Sequence, residues 1–476
     1  MSLPTPKASD SNKQISELIT LIKNATETIE SHFLKSSLPI IPSLDSLAHH
    51  PLDSAILPPQ LRDAVQLLEG ACGQLCATLA RPNHIILNFF EPTCLNVVTA
   101  FKIPDILQEQ PSGMHIKEIG EKAGVNYEKL GRILRLLTTH HIFREVMTDR
   151  FANNRLSLQL LSSNPLASMV SFYTSVINKA TSMTVEVLAD PEWGNAQTFD
   201  RSPWNRYTGF EGPMFQYLDG VTPEGAQQGA LLGIGMHGWN DVVQASAVYL
   251  DFPWDKYPPG TTVNDVGGGI GSMAMELIKA YPNLQLKLQD LPDRIHQAET
   301  EIWPKFLPSA IAEKQIEFKA MDFFVDSPIE GCDIYYVAEK RHVSVPFQTV
   351  KIGMRPLKLD TIGQTEKVFK FFATSVESSS LVLAFFSVHH TDEYVLQHAN
   401  QLDTSNPAFP VAPKPMLPNY GAGRIRQYNL DLALMATQNS RGRTLEEFID
   451  IASKADLQFV KLWYAGEMGM VEFQAA

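Results

Sequence analysis

"TTVNDVGGGIGSMAMELIKAYPNLQLKLQDLPDRI", Thr261 to Ile295, is the stretch whose reading decides the fold. Its opening residues are largely β-branched and read as a strand. Glycines at 267, 268, 269 and 271 then mark a tight turn, "SMAMELIKA" reads as a helix, and "LQLKLQD" alternates as a second strand. Strand, glycine turn, helix, strand is the unit of a doubly wound α/β sheet, whose ligands sit at the carboxyl ends of the strands. Downstream, "IEFKAMDFFVD", "CDIYYVAEK", "SSSLVLAFFSVHH" and "FVKLWYAGEMGMVEF" supply further strands.

Upstream the texture is helical. After a flexible 1–14, "ISELITLIKNATETIESHFL" places Ile15, Leu18, Ile19 and Ile22 at helical spacing. A proline-punctuated connector follows, then helices from Leu61 to about Phe151. Within that region "HIKEIGEKAGVNYEKLGRILRLLTTHHIFREV" gives a short helix, a turn, a longer helix and a strand pair, which is a winged-helix arrangement. Its second helix offers Lys129, Arg132 and Arg135 but is flanked by Glu118, Glu121, Glu128 and Glu145, a poor balance for neutralising phosphates. Residues 165–250 return to helix, and "EWGNAQTFDRSPWNRYTGFEGPMFQYL" brings aromatics suited either to a wall for a flat ligand or to ordinary helix packing. The expected units are therefore 15–165, a helical and winged-helix domain, 166–260, a helical linker and lid, and 261–476, the α/β domain.

Composition narrows the partners. Among 476 residues, 39 Lys+Arg face 52 Asp+Glu, a net charge of −13 without a basic cluster, so neither nucleic acid nor an anionic membrane is expected. Cys72, Cys76, Cys94 and Cys332 form neither a disulfide framework nor a zinc pattern, and no metal is expected. No apolar run reaches the ~18–20 residues that span a bilayer. The reading is a cytoplasmic protein with a small-molecule partner.

The glycine turn indicates a nucleotide-like ligand. Asp290, closing the second strand, is placed to accept two hydrogen bonds from ribose hydroxyls, and Asp322 and Phe323 in "MDFF" stand where an adenine would be edge-bonded and stacked. A dinucleotide would want G-x-G-x-x-G, whereas this turn runs G-G-G-I-G. With "LQDLPDRI", "MDFF", "GPMFQYLDG" and "RGRTLEEFIDIASKADLQFVKLW", the chain resembles S-adenosylmethionine-dependent class I methyltransferases. More narrowly, it resembles plant and fungal O-methyltransferases with an N-terminal winged-helix dimerisation domain. The resemblance implies a Rossmann-like domain, a homodimer, S-adenosylmethionine as cofactor, and Asp265, Gly267, Gly269, Asp290, Asp322 and Phe323 as cofactor contacts.

The base segment of that family reads roughly His-Asp-Trp. Here His342 keeps the register, nine residues after Asp333, but Val343 and Ser344 follow it. Residues 336–342 and 411–420 resemble the O-methyltransferase-like pericyclases of fungal 2-pyridone alkaloid biosynthesis. That resemblance implies dehydration to a quinone methide and a hetero-Diels-Alder or Alder-ene cyclisation. A pericyclic step needs no base, and an ammonium at Lys340 bonded to a pyridone carbonyl would be worth ~1.5–3 kcal/mol. Lys340 could equally be a solvated lysine paired with Glu339. His342 would assist as acid or base; His237, in "GIGMHGWND", is a third candidate facing the pocket. Met416, in a proline-rich loop, is expected to line the pocket and select between products, since ~1.4 kcal/mol changes a ratio tenfold. Two other readings stand beside the pericyclase: a true O-methyltransferase of a phenolic polyketide with His342 as base, and a silent cofactor-binding dimer partner.

Overall fold

Leu130, Leu134 and Leu137 recur at intervals of four and three, which gathers them on one stripe of a helix. That helix, Tyr127–Thr139, starts at Asn126, whose side-chain oxygen accepts the Lys129 N–H at 3.0 Å. It packs on helix Ile116–Ala123 and on a small sheet of β1 (Met114–His115), β2 (Arg144–Met147) and β3 (Arg150–Ala152), ordered β1-β3-β2. Ile116, Ile119, Phe143 and Phe151 complete the core of this winged helix. Arg135 spends its charge within the unit, paired with Glu145 at 3.1 Å and with Asp149.

The computed structural model describes residues 8–53, 55–81, 91–244, 247–322, 326–338, 381–386, 411–465 and 468–475. The first helix runs Ala8–Leu34, so the polar "ASDSNKQ" forms its opening turns rather than part of a flexible 1–14. Among the described residues no helix is long and apolar enough to cross a membrane.

The large sheet comprises β4 (Thr262–Val266), β5 (Gln285–Asp290), β6 (Ile316–Ala320), β7 (Ile334–Ala338), β8 (Leu381–Phe386), β9 (Leu457–Ala465) and β10 (Met468–Ala475). Their order is β6-β5-β4-β7-β8-β10-β9; the first five are mutually parallel, and β10 runs antiparallel to both its neighbours. Parallel strands must be covered on both faces. Helix Ser272–Ala280 with Trp254 and Trp303 covers Val263, Leu286, Leu288 and Tyr336 on one side. Helix Leu445–Ser453 covers Val266 and Tyr335 on the other. The chain winds outward from β4 to β6, then returns to β7 on the opposite flank, so strand order reverses between β4 and β7. A crevice at their carboxyl ends is what that topology dictates.

A third contact region joins distant parts of the chain. Residues 411–424 lie along helix Pro59–Leu79, where the Gln74 side chain donates to the Pro415 carbonyl at 2.8 Å and accepts the Leu417 N–H at 3.1 Å. A side chain at Gly70 would begin 2.3 Å from the Tyr420 carbonyl oxygen, so the seam admits only glycine there. Arg62 and Asp251, both largely buried, pair at 2.6 Å beside it.

Candidate functional site

The turn after β4 is held by backbone bonds before any ligand is considered. The N–H groups of Gly267 and Gly268 donate to the Gln289 carbonyl at 2.8 and 3.3 Å, and Gly269 N–H donates to Asp290 Oδ2 at 2.7 Å. Leu291 N–H donates to Asp290 Oδ1 at 2.7 Å, so each carboxylate oxygen keeps lone pairs for another donor. A Cβ at Gly268 would sit 2.5 Å from the Asp265 carboxyl and from Leu288, which makes this position a close backbone approach. Gly269 is the opposite case: φ is +64°, and among the described residues a Cβ there would meet nothing within 4 Å. The turn therefore presents a fixed backbone edge to open space, flanked by a pinned carboxylate.

Asp265 is fully buried and lies in register with Leu288 and Tyr336 on the neighbouring strands. Burial raises the Tyr336 hydroxyl well above its ordinary pKa, and the Asp265 charge pushes in the same direction. The next strand end carries Asp322, whose backbone N–H is taken by Asp326 Oδ2 at 2.9 Å. Arg294, on helix Pro292–Gln297, has its pKa lowered by desolvation, against which the carboxylates of Asp290, Asp293 and Asp219 pull it back up. The Trp303 indole donates to the Ile270 carbonyl at 3.0 Å and walls the turn's far side.

The structure thus brings Asp265, Gly267, Gly269, Asp290 and Asp322 to the carboxyl edge of β4, β5 and β6. Phe323, Lys340 and His342 lie outside the described residues. His237 is exposed, its Nδ1 lies 3.3 Å from the Gly233 carbonyl of its own helix Pro223–Val242, and it shares a face with exposed Ile234 and Asp241. Gly235 and Gly238 take the inward positions, where a Cβ would strike the Met169 and Leu166 backbone at 2.7 and 2.5 Å. Met416 is buried with Leu18, Ala71, Ala412 and Tyr420 against the N-terminal helices, which makes it part of a core rather than a pocket wall. The aromatic segment also resolves to packing in its central residue, since Trp204 is fully buried in edge contact with Phe210 and Tyr217. Among the described residues no cluster of His, Cys, Asp or Glu could hold a metal.

Residues 83–163 match the O-methyltransferase dimerisation domain, and residues 242–342 match the O-methyltransferase domain. The chain is 35% identical to 3-O-methyltransferase 2 of Phanerochaete chrysosporium over 98% of each chain. It is 28% identical to the O-methyltransferase cicE of Emericella nidulans, covering 98% of this chain and 90% of that one. Among solved structures, OxaC in complex with S-adenosylhomocysteine and oxaline superposes with a TM-score of 0.61 at 18% identity, over 98% of this chain and all of that one. That last likeness is one of fold.

Proposed function

The chain belongs to the O-methyltransferase family, and on that premise we propose that it transfers the methyl group of S-adenosylmethionine to a hydroxyl of a small aromatic metabolite. The observation that carries this reading is the 35% identity, over nearly the full length of both chains, to a 3-O-methyltransferase, joined to a glycine turn whose backbone edge faces space open among the described residues beside a pinned carboxylate. The residues fit the family's cofactor. A side chain at Gly268 would have no room, and one at Gly269 would project into space open among the described residues, so the turn suits close approach of a nucleoside.

Bound there, S-adenosylmethionine supplies an electrophilic methyl on sulfur. Asp290 would accept the ribose hydroxyls on its remaining lone pairs, and Asp322 would sit at the adenine edge. A base must remove the acceptor's hydroxyl proton as the new carbon–oxygen bond forms, and His342 keeps the family's position for it. An imidazole suits the role, being unprotonated near neutral pH and able to retain the proton afterwards.

A second reading rests on a specific sequence observation: Val343 and Ser344 stand where the family carries Asp and Trp, and the O-methyltransferase domain match ends at residue 342. It is the pericyclase, in which Lys340 would bond a pyridone carbonyl and no methyl would move. The purified protein is incubated with S-adenosylmethionine and either a panel of phenols or a dehydratable pyridone alcohol, and products are weighed by mass spectrometry. A gain of one methyl on a phenol supports transfer. Loss of water from the pyridone alcohol without methyl gain supports the pericyclase and sinks the first reading.

A further inference from the structure

Between the first helix and helix Pro59–Leu79 the chain turns its apolar side chains outward. Leu34, Leu38, Ile40, Ile41, Leu44 and Leu47 are each between 40% and 60% exposed. Single exposed apolar residues are ordinary, but six within fourteen residues make a patch that calls for a cover. The stretch is also held in place. Leu52 N–H donates to His50 Nδ1 at 3.1 Å, which leaves the proton on Nε2 to donate to the Leu38 carbonyl at 3.0 Å. That ring is buried against Phe33, with centroids 4.8 Å apart. Arg155 N–H donates to the Leu44 carbonyl at 2.9 Å, and its guanidinium pairs with Asp53, whose Oδ2 lies 3.2 Å from Nε. A loose loop could fold its leucines away from water; this one cannot while those bonds hold.

We propose that residues 34–47 form a docking arm for a second copy of this chain, carrying the dimer contact beyond the winged helix. Two observations select that occupant. The first is continuity: Arg155, which pins the arm, lies within residues 83–163, the span that matches the dimerisation domain, and the adjacent Leu156 is itself exposed. The arm lies outside that span, so the match does not account for it. The second is charge. Each copy carries a net −13, and copies therefore repel over most of their surface. Lys35 and Asp45 are the arm's charged residues, and they cancel. Two such neutral, apolar patches related by a two-fold axis can cover one another without a charge penalty. An anionic lipid surface, by contrast, is drawn by an excess of cations, which the arm lacks. Because bonds within one protomer already fix the arm, docking orders little new chain.

Sedimentation velocity on the full-length protein across a concentration series reads the dimer dissociation constant, with circular dichroism and melting curves to confirm folding. Ile40→Ser together with Ile41→Ser is expected to raise that constant about 100-fold, since both sides of a symmetric contact lose two anchors. Both side chains are exposed in the single protomer, so the fold should survive the change. Should the double variant fail to fold, Ile40→Ser alone is measured, with about a tenfold rise expected. Val185→Ser is the control: Val185 is exposed on helix Thr184–Ala189, and its replacement should leave the constant within about twofold. Hydrogen exchange should find residues 34–47 protected at concentrations that favour the dimer and unprotected in the monomer. A native chain that stays monomeric at every concentration, arm variants that dimerise as tightly as native, or a control that weakens association as much as the arm variants do would each overturn the proposal. Native protein that floats with phosphatidylserine vesicles, while the double variant does not and still dimerises, would overturn it in favour of a membrane.

Discussion

Two glycine-dependent regions of this molecule serve opposite ends. At the seam between helix Pro59–Leu79 and residues 411–424, a Cβ on Gly70 would run into a carbonyl oxygen and the Met416 side chain. At the turn after β4, a Cβ on Gly269 would run into nothing among the described residues. Both backbones are held in place, the first by Gln74 and the second by Asp290. The difference lies in what fills the space next to them: protein in one case, room for a ligand in the other. A fold spends glycine to bring two pieces of itself together, and a binding site spends it to bring backbone to something else.

That contrast predicts where damage will register. Gly70→Val should cost stability above all, ~3 kcal/mol or more, because a backbone carbonyl cannot move aside as a flexible side chain can. Chemical denaturation checks it; a midpoint unchanged from native would show that the seam opens without penalty. Asp290→Asn should lower the melting temperature modestly, since the amide can accept only one of the Gly269 and Leu291 N–H groups, and should weaken S-adenosylhomocysteine about 10- to 100-fold, the worth of charge-assisted bonds to two hydroxyls. Calorimetry reads this directly, and equal affinity would remove Asp290 from the site. Gly269→Ala falls between the regions: the left-handed φ should cost ~1 kcal/mol of stability, and the added methyl should also reduce cofactor affinity. A loss of stability alone would mean that the open space is not where the ligand goes.

The smallest effect concerns a buried carboxylate remote from both. Glu472 accepts the Trp463 indole N–H at 2.6 Å, and burial raises its pKa, offset in part by that bond and by Lys461. A carboxyl whose pKa is raised on folding stabilises most while protonated. Its contribution is complete below the unfolded value near 4.5 and is lost as pH rises through the folded value. Glu472→Gln should therefore flatten the decline of stability above that pH while changing neutral stability by no more than ~1 kcal/mol. Melting curves across the acidic range decide it; an unchanged slope would mean that Glu472 is not the titrating group.

What was legible in the sequence follows the range of the interactions involved. The glycine turn and Asp290 were readable because strand, turn and helix signals lie within thirty-five residues and fix one another locally. The winged helix was readable for the same reason. Met416 was misplaced because its neighbours Leu18 and Ala71 are hundreds of residues away, and nothing in a proline-rich loop says which helix it will cover. The facing of His237 was not readable, because its helix carries five glycines, Gly225, Gly229, Gly233, Gly235 and Gly238, and small residues hide which face is inward.

The central claim is that the carboxyl edge of β4 and β5 serves methyl transfer to oxygen. A single-turnover reaction with S-adenosylmethionine carrying an isotopically labelled methyl, and a phenol that the protein binds, tests it most directly. The account predicts that the label appears in the phenol as a methyl ether, in amounts matching the S-adenosylhomocysteine formed, and that Asp290→Asn slows its appearance. Cofactor that binds tightly and keeps its label, while an acceptor is converted by loss of water alone, would contradict it.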